Sequence, residues 1–268
     1  MNYKLLFPTY RNRYLFIKSR LKTYGNRKLN HVLNLGTGEG DYDPMISESV
    51  ESLVSCDINP KDVNFAQELN KAYGNIDYRV ENALDLSFGK ESFDLIISVD
   101  VMEHVGDPEQ MLVEMSRVLK TNGLVFLTYP QLKFPFTYDP INRLLSFFKG
   151  KKNIAQGAYA FGHEYLVDME KVEEWAKEND LEVLQNFGLS GYLIGLLEMY
   201  WTGIIQSIFK SNAKNLNDGK IDDHKFTMRP SLKAPALVVL TDLIIRIDRI
   251  LFTGKTYSVG RGMVLRKK

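Results

Sequence analysis

The chain is poor in the residues that build metal and disulfide frameworks. Its 268 residues include one cysteine, Cys56, and four histidines, His31, His104, His163 and His224. A lone cysteine forms no internal disulfide, and no Cys/His spacing matches a zinc site. Cys56 reads as a small buried strand residue, which fits a reducing, cytosolic setting. An excess of one charge sign is also missing. The formal net charge is +1, so no global field selects nucleic acid. Long apolar runs are lacking as well: Tyr192 to Phe209 comes near spanning length, but Gly195, Glu198, Gly203 and Gln206 argue against a bilayer span. Repeats, heptads and low-complexity tracts do not occur. What is present, 44% hydrophobic and 25% charged residues, suits one large globular domain or a domain with a cap.

Acids are missing from the N-terminal end. Before Glu39 stand Lys4, Arg11, Arg13, Lys18, Arg20, Lys22, Arg27 and Lys28, interleaved with Tyr3, Phe7, Tyr10, Tyr14, Phe16 and Tyr24. Arg-rich, acid-poor composition is also that of a transit peptide. With a first strand beginning near Val32, the segment is instead expected to be a basic helix packed on the core. Its charged face is either simply solvated or a patch for anionic lipid or phosphate. No secretory signal is expected, because charges break the apolar runs.

The most informative stretch is Val32-Leu33-Asn34-Leu35-Gly36-Thr37-Gly38-Glu39-Gly40-Asp41. It reads as a short buried strand running into a tight glycine turn, where the backbone approaches a ligand that any Cβ would meet. A second apolar stretch, Leu53-Val54-Ser55-Cys56-Asp57, ends on an acid placed to accept both hydroxyls of a ribose. The pair points to an adenosine-containing cofactor at the carboxyl ends of a parallel sheet. A dinucleotide fingerprint would need a third glycine where Asp41 stands, and no Gly-Lys-Ser/Thr follows for a Walker loop. Glu39 and Asp41 make the turn a poor setting for pyrophosphate and a better one for a cationic ligand such as S-adenosylmethionine.

Further strands follow at consistent spacing. Tyr78 to Leu86 gives a third strand and a polar turn, Ser92 to Asp100 a fourth strand, and Leu124 to Thr128 a fifth. Between the last two lie Val101-Met102-Glu103-His104-Val105-Gly106-Asp107-Pro108 and a helix through Val118. In this order of motifs the chain resembles the class I S-adenosylmethionine-dependent methyltransferases, especially the branch of the ubiquinone/menaquinone-biosynthesis enzymes, across residues 30–130. The resemblance implies an α/β, Rossmann-like sheet of seven strands, mostly parallel with an antiparallel final strand and helices on both faces. It also implies that Gly36, Gly38 and Gly40 lie under the methionine part of S-adenosylmethionine and that Asp57 binds the ribose. Asn82 is implied beside the adenine, Ala83 as a backbone contact to the ring, and Val99 near the methyl-transfer centre. Asn34 departs from the family's usual acid for the cofactor's amino group, a contact that Glu39 could partly replace.

Beyond Tyr129-Pro130 the pattern changes. An aromatic loop, Phe134 to Pro140, precedes a short apolar helix at Ile141 to Phe148, a connector, and a helix from Asp168, a plausible N-cap, to Asn179. Strands are expected at Leu181 to Phe187 and Tyr257 to Leu265. The connection between them is too long for a hairpin, so residues 191–256 are expected to form an α-helical cap on a domain made of 1–190 and 257–268. Its second apolar segment puts Asp242, Arg246 and Arg249 on one helical face and Leu240, Leu243, Ile244, Ile247 and Leu251 opposite. That apolar face either packs on the sheet, closes over a hydrophobic substrate, or lies on a membrane.

The expected activity is methyl transfer to a small, apolar or lipid- or glycan-linked acceptor, with His104 and His163 the candidate catalytic bases. A non-catalytic module binding the same cofactor is the alternative, while a dinucleotide-dependent oxidoreductase is disfavoured by Asp41. Nucleic acid is not an expected partner. The expected location is cytoplasmic, with peripheral membrane contact as an extension.

Overall fold

The computed structural model describes residues 2–25, 29–131, 167–195, 197, 234–252 and 258–268. His163, the aromatic loop at 134–138 and most of the cap at 191–256 lie outside the described residues. A 3₁₀ turn, Tyr3–Leu6, leads into α1, Pro8–Tyr24. Then come β1 His31–Leu35, α2 Asp43–Ser47, β2 Ser52–Asp57, α3 Pro60–Leu69, β3 Ile76–Val80 and β4 Phe93–Val99. A second 3₁₀ turn, Met102–His104, precedes α4 Pro108–Val118 and β5 Leu119–Pro130. The described part continues with α5 Met169–Glu178, β6 Leu181–Leu189, α6 Val238–Phe252 and β7 Gly260–Lys267.

The strands form one seven-stranded sheet in the order β3-β2-β1-β4-β5-β7-β6. Pairings among β1 to β5 are parallel, and β7 runs antiparallel to both β5 and β6. This is the Rossmann-like arrangement expected. Burial on both faces explains why β4 reads as a near-continuous apolar run: Leu95, Ile96 and Ile97 are all fully buried. Helix starts are written locally. Asn59 and Asp107 accept capping bonds from Lys61 N and Gln110 N, each followed by proline at the first helical position. Asp168 caps α5 in the same way, as its sequence predicts.

Apolar layers cover both faces. One packs α4 and α5 onto the sheet through Met111, Met115, Val172 and Ala176. The other receives α1, whose Phe16, Ile17 and Leu21 pack against Val32, Ile97 and Phe126. The basic N-terminal segment is therefore a core helix, despite its charge.

The last described helix departs from packing on the sheet. α6 lies on α1, and its inward side is largely polar. Thr241 Oγ1 donates to Leu6 O at 3.2 Å, Arg11 grips the Asp242 carboxylate at 2.8 and 3.0 Å, and buried Asp248 accepts from the amides of Gly191 and Ile194. Val239, Leu240, Leu243, Ile247, Ile250 and Leu251 face outward, Ile250 with 83% of its surface exposed. The amphipathic helix exists, with its apolar side turned away from the sheet. Among the described residues no helix is long and apolar enough to cross a membrane.

Candidate active site

In the strand order, β1 lies between β2 and β4, so successive connections leave it in opposite directions and open a crevice at the carboxyl ends. The glycine turn occupies that crevice. Gly36, Gly38 and Gly40 all have positive φ, at 80°, 54° and 79°. Their surroundings differ. A Cβ on Gly36 would sit 2.1 Å from Val101 Cγ2, and one on Gly40 would lie 2.6 Å from Asn70 Nδ2 and 2.8 Å from Ala66 Cβ. A Cβ on Gly38 would meet nothing within 4 Å. Two glycines thus let the turn pack on its own protein, and the middle one leaves a cradle open to a ligand.

Asp57 ends β2 beside that cradle. Its Oδ2 accepts from Gly38 N at 2.9 Å and its Oδ1 from Asn59 N at 3.0 Å. These bonds fix the carboxylate plane while each oxygen keeps a lone pair for a further donor. The next residue, Ile58, is 68% exposed, an apolar platform next to an anchoring acid. Sequence reasoning passed over Ile58, although an isoleucine at a strand tip between two polar residues was a usable signal.

Across the crevice, Asn82 is exposed and its Oδ1 accepts from Leu84 N at 3.0 Å, closing the polar turn after β3. Ala83 is buried against the α4-side core. Val99 is half-buried at the end of β4, paired with Thr128. The predicted residues Gly36, Gly38, Gly40, Asp57, Asn82, Ala83 and Val99 all fall on the turns and strand ends along the carboxyl edge.

Behind the turn lies a polar row that was not anticipated. Asn34, Ser55 and Tyr78 are lateral neighbours across β1, β2 and β3. All three donate to Asp43, at 2.6, 2.6 and 2.8 Å, and Thr37 Oγ1 adds a fourth bond at 2.7 Å. Asp43 is fully buried. Burial raises its pKa, and the four donors oppose that rise without cancelling it. Three polar residues within otherwise apolar strands were the signal for this hub. Asn34 is thereby spent inside the protein.

The acids of the turn are also partnered. Lys4 Nζ, from the N-terminal 3₁₀ turn, pairs with Glu39 at 3.0 Å and with Asp41. Burial alone would lower the lysine's pKa, yet the two carboxylates outweigh it and hold the ammonium above its ordinary range. The local motif reads as a purely acidic turn; folding brings a cation to it from 35 residues away. Glu39 is therefore already paired and is not a ready substitute for the acid missing at Asn34.

Beyond Val99, Asp100 adopts a left-handed φ of 53°. Arg13 of α1 pairs with its Oδ2 at 2.7 Å, and Thr128 Oγ1 donates to its Oδ1 at 3.0 Å. Glu103 is fully buried, and desolvation together with the nearby Asp100 charge raises its pKa well above the usual carboxylate range. His104 is partly exposed, with Nε2 4.0 Å from Glu103 Oε1. The edge thus brings together the open glycine turn, the Asp57 carboxylate and the group Asp100, Glu103 and His104.

Comparison with known proteins agrees with this geometry. Residues 33–127 match the family model described as a methyltransferase domain. A ubiquinone biosynthesis O-methyltransferase of Rhizobium johnstonii is 29% identical over 167 residues, 59% of this chain and 62% of that protein. The chain thus spans less than two thirds of that relative's length. In fold, it is similar to a candidate sarcosine dimethylglycine methyltransferase of Galdieria sulphuraria, with TM-score 0.61 and 19% identity over 96% of this chain and 86% of that one. An N-methyltransferase of Bradyrhizobium japonicum, solved with S-adenosyl-L-homocysteine, gives TM-score 0.52 and 17% identity over 70% of this chain and 83% of its own. The glycine turn, Asp57, the strands β2 to β4 and most of β1 and β5 thus all fall within residues 33–127, the stretch that matches a methyltransferase domain.

Proposed function

We propose that the protein transfers a methyl group from S-adenosylmethionine to a small, apolar or ring-containing acceptor, lipid- or glycan-linked in its native form. The observation that carries this reading is the open cradle at Gly38, joined through its own amide to the Asp57 carboxylate. Gly38 and Asp57 hold the cofactor, Ile58 and the Asn82–Ala83 turn flank its base, and Val99 borders the transfer centre. The bound cofactor supplies an electrophilic methyl group, so the protein adds mainly alignment and exclusion of water. Arg13 and Thr128 fix Asp100 at the edge where the acceptor enters. For a hydroxyl acceptor, His104 takes the proton, with Glu103 behind it. His163, outside the described residues, is the second candidate base.

The test is release of S-adenosylhomocysteine on incubating the protein and S-adenosylmethionine with catechol- and quinol-type acceptors. Binding of cofactor with no turnover on any such acceptor would favour the non-catalytic module. Loss of turnover in His104→Ala, with cofactor affinity unchanged, would support its role as base.

The exposed apolar face of α6 supports a peripheral membrane contact on the cytoplasmic side. Its outward apolar face, flanked by Arg246 and Arg249, has the form of an interfacial helix, and basic residues add about 1 kcal/mol each near an anionic surface. Flotation with anionic liposomes tests this. Binding should fall as salt rises and weaken when Leu243, Ile247 and Leu251 become Ser. No flotation at low salt would sink it.

A further inference from the structure

Arg261 stands in β7 opposite Tyr129 of β5 and Gly188 of β6. Because β7 runs antiparallel, its first residues lie level with the last residues of β5, at the same carboxyl edge as the glycine cradle. Only 2% of Arg261 is exposed. Its Nε and Nη2 point at the thioether sulfur of Met169, at 3.1 and 2.6 Å, and among the described residues Nη1 has no hydrogen-bond partner. A thioether is a weak and neutral acceptor.

Acids on the neighbouring helix accept their hydrogen bonds elsewhere, although the Glu173 charge still acts on Arg261 from a distance. Glu173 accepts from Asn186 Nδ2 at 2.7 Å, and Asp168 accepts from Glu170 N as the cap of α5. Burial pulls the guanidinium's pKa below its ordinary value. Glu173 opposes this without cancelling it, and a buried charge so weakly paired is unfavourable unless something supplies more of the opposite charge. Residue 188 opposite is glycine, and Met169 begins α5, a ten-residue helix whose first-turn amides favour an anion. Arginine's planar fork matches the two oxygens of a carboxylate or phosphate.

We propose that Arg261 binds an oxyanion, carboxylate or phosphate, carried by the methyl acceptor. The proposal rests on the methyltransferase reading and specifies its acceptor. β7 and β4 are separated only by β5, so Arg261 and the end of β4 lie about 10 Å apart across the sheet. That span fits a ring whose reacting group lies near Asp100 while its acidic group meets Arg261.

The experiment uses the full chain saturated with S-adenosylhomocysteine. Calorimetry compares benzoate and phenyl phosphate with the neutral isostere benzamide, at constant ionic strength. The unaltered protein should bind one of the anions about tenfold or more tighter than benzamide. A preference for benzoate assigns a carboxylate, and one for phenyl phosphate assigns a phosphate. Arg261→Met should erase the preference while S-adenosylhomocysteine affinity stays the same. It should also melt higher than the unaltered protein in the absence of anion, since it removes a buried charge that Glu173 compensates only in part. Arg261→Lys, which keeps the charge and loses the fork, should weaken the anion alone. Equal binding of anions and benzamide, no binding of either anion, or a preference that survives Arg261→Met would overturn the proposal. Failure to bind S-adenosylhomocysteine would instead strike the methyltransferase reading.

Discussion

The three glycines of the turn should respond differently to the same methyl group. At Gly38 an added Cβ meets no protein atom within 4 Å, so Gly38→Ala costs the fold only its left-handed backbone, offset by a less flexible unfolded chain. The net is about 1 kcal/mol, a melting-temperature drop of about 2–4 °C for a domain of this size. At Gly40 the same backbone cost applies, and the methyl lies 2.6 Å from Asn70 Nδ2, a buried group bonded to Gly40 O and Tyr78 OH. Overpacking adds about 1–3 kcal/mol, for a total of about 2–4 kcal/mol and a drop of about 4–16 °C. Ligand affinity should invert this order. Gly38→Ala places its methyl in the cradle and should weaken S-adenosylhomocysteine by about tenfold or more, at least 1.4 kcal/mol. Gly40→Ala should bind nearly normally at temperatures where it remains folded. Thermal denaturation and calorimetry on the two variants provide both readings. The reasoning fails if Gly38→Ala binds like the unaltered protein, or if Gly40→Ala melts no lower than Gly38→Ala.

Other substitutions test neighbouring parts. Asp57→Ala should lose two charge-assisted bonds to ribose, about 2–4 kcal/mol, or roughly 30- to 1000-fold in S-adenosylhomocysteine affinity by calorimetry. Lys4→Met leaves Glu39 and the buried Asp41 without their cation and should destabilise the protein by about 1–3 kcal/mol in urea titration. An acid titration should expose two ion pairs. Arg117 and the Leu86 amide hold Glu114 below its ordinary value; for Asp94, burial acts upward, but Lys120 and the His31 and Asn30 amides outweigh it. Both carboxyls are lowered in the folded state, so their stabilisation is present above about pH 4.5 and is lost as pH falls through the folded values. Urea midpoints measured downward from pH 5 should therefore fall less steeply in Asp94→Asn.

The parts of this fold legible in the sequence were those encoded locally. Val32 to Asp41 and Leu53 to Asp57 announce strand, turn and acid within a few residues, because burial and ligand approach act on neighbouring positions. Contacts between distant segments leave no such periodic trace. Nothing near Glu39 indicates that Lys4 will neutralise it, and Asp43 becomes a hub only when three strands align Asn34, Ser55 and Tyr78. The helical wheel of α6 sets Leu240, Leu243, Ile247 and Leu251 on one side, but it does not say that Thr241, Ile245 and Asp248 meet the protein while Arg246 and Arg249 stay exposed. That choice depends on Arg11 and on the amides of Gly191 and Ile194, all remote in sequence. Arg261 escaped notice for the same reason, since its burial arises from β5, β6 and α5 together.

The pairing of Lys4 with Glu39 and Asp41 has an electrical consequence. An acidic turn left open would draw a cationic ligand over a distance and release it as salt is added. Here the chain's own ammonium cancels one of the two negative charges in advance, so recognition leans more on short-range contacts at Gly38 and Asp57. Cofactor affinity should accordingly vary only modestly between low and physiological ionic strength, and a replacement at Lys4 should make it more salt-sensitive.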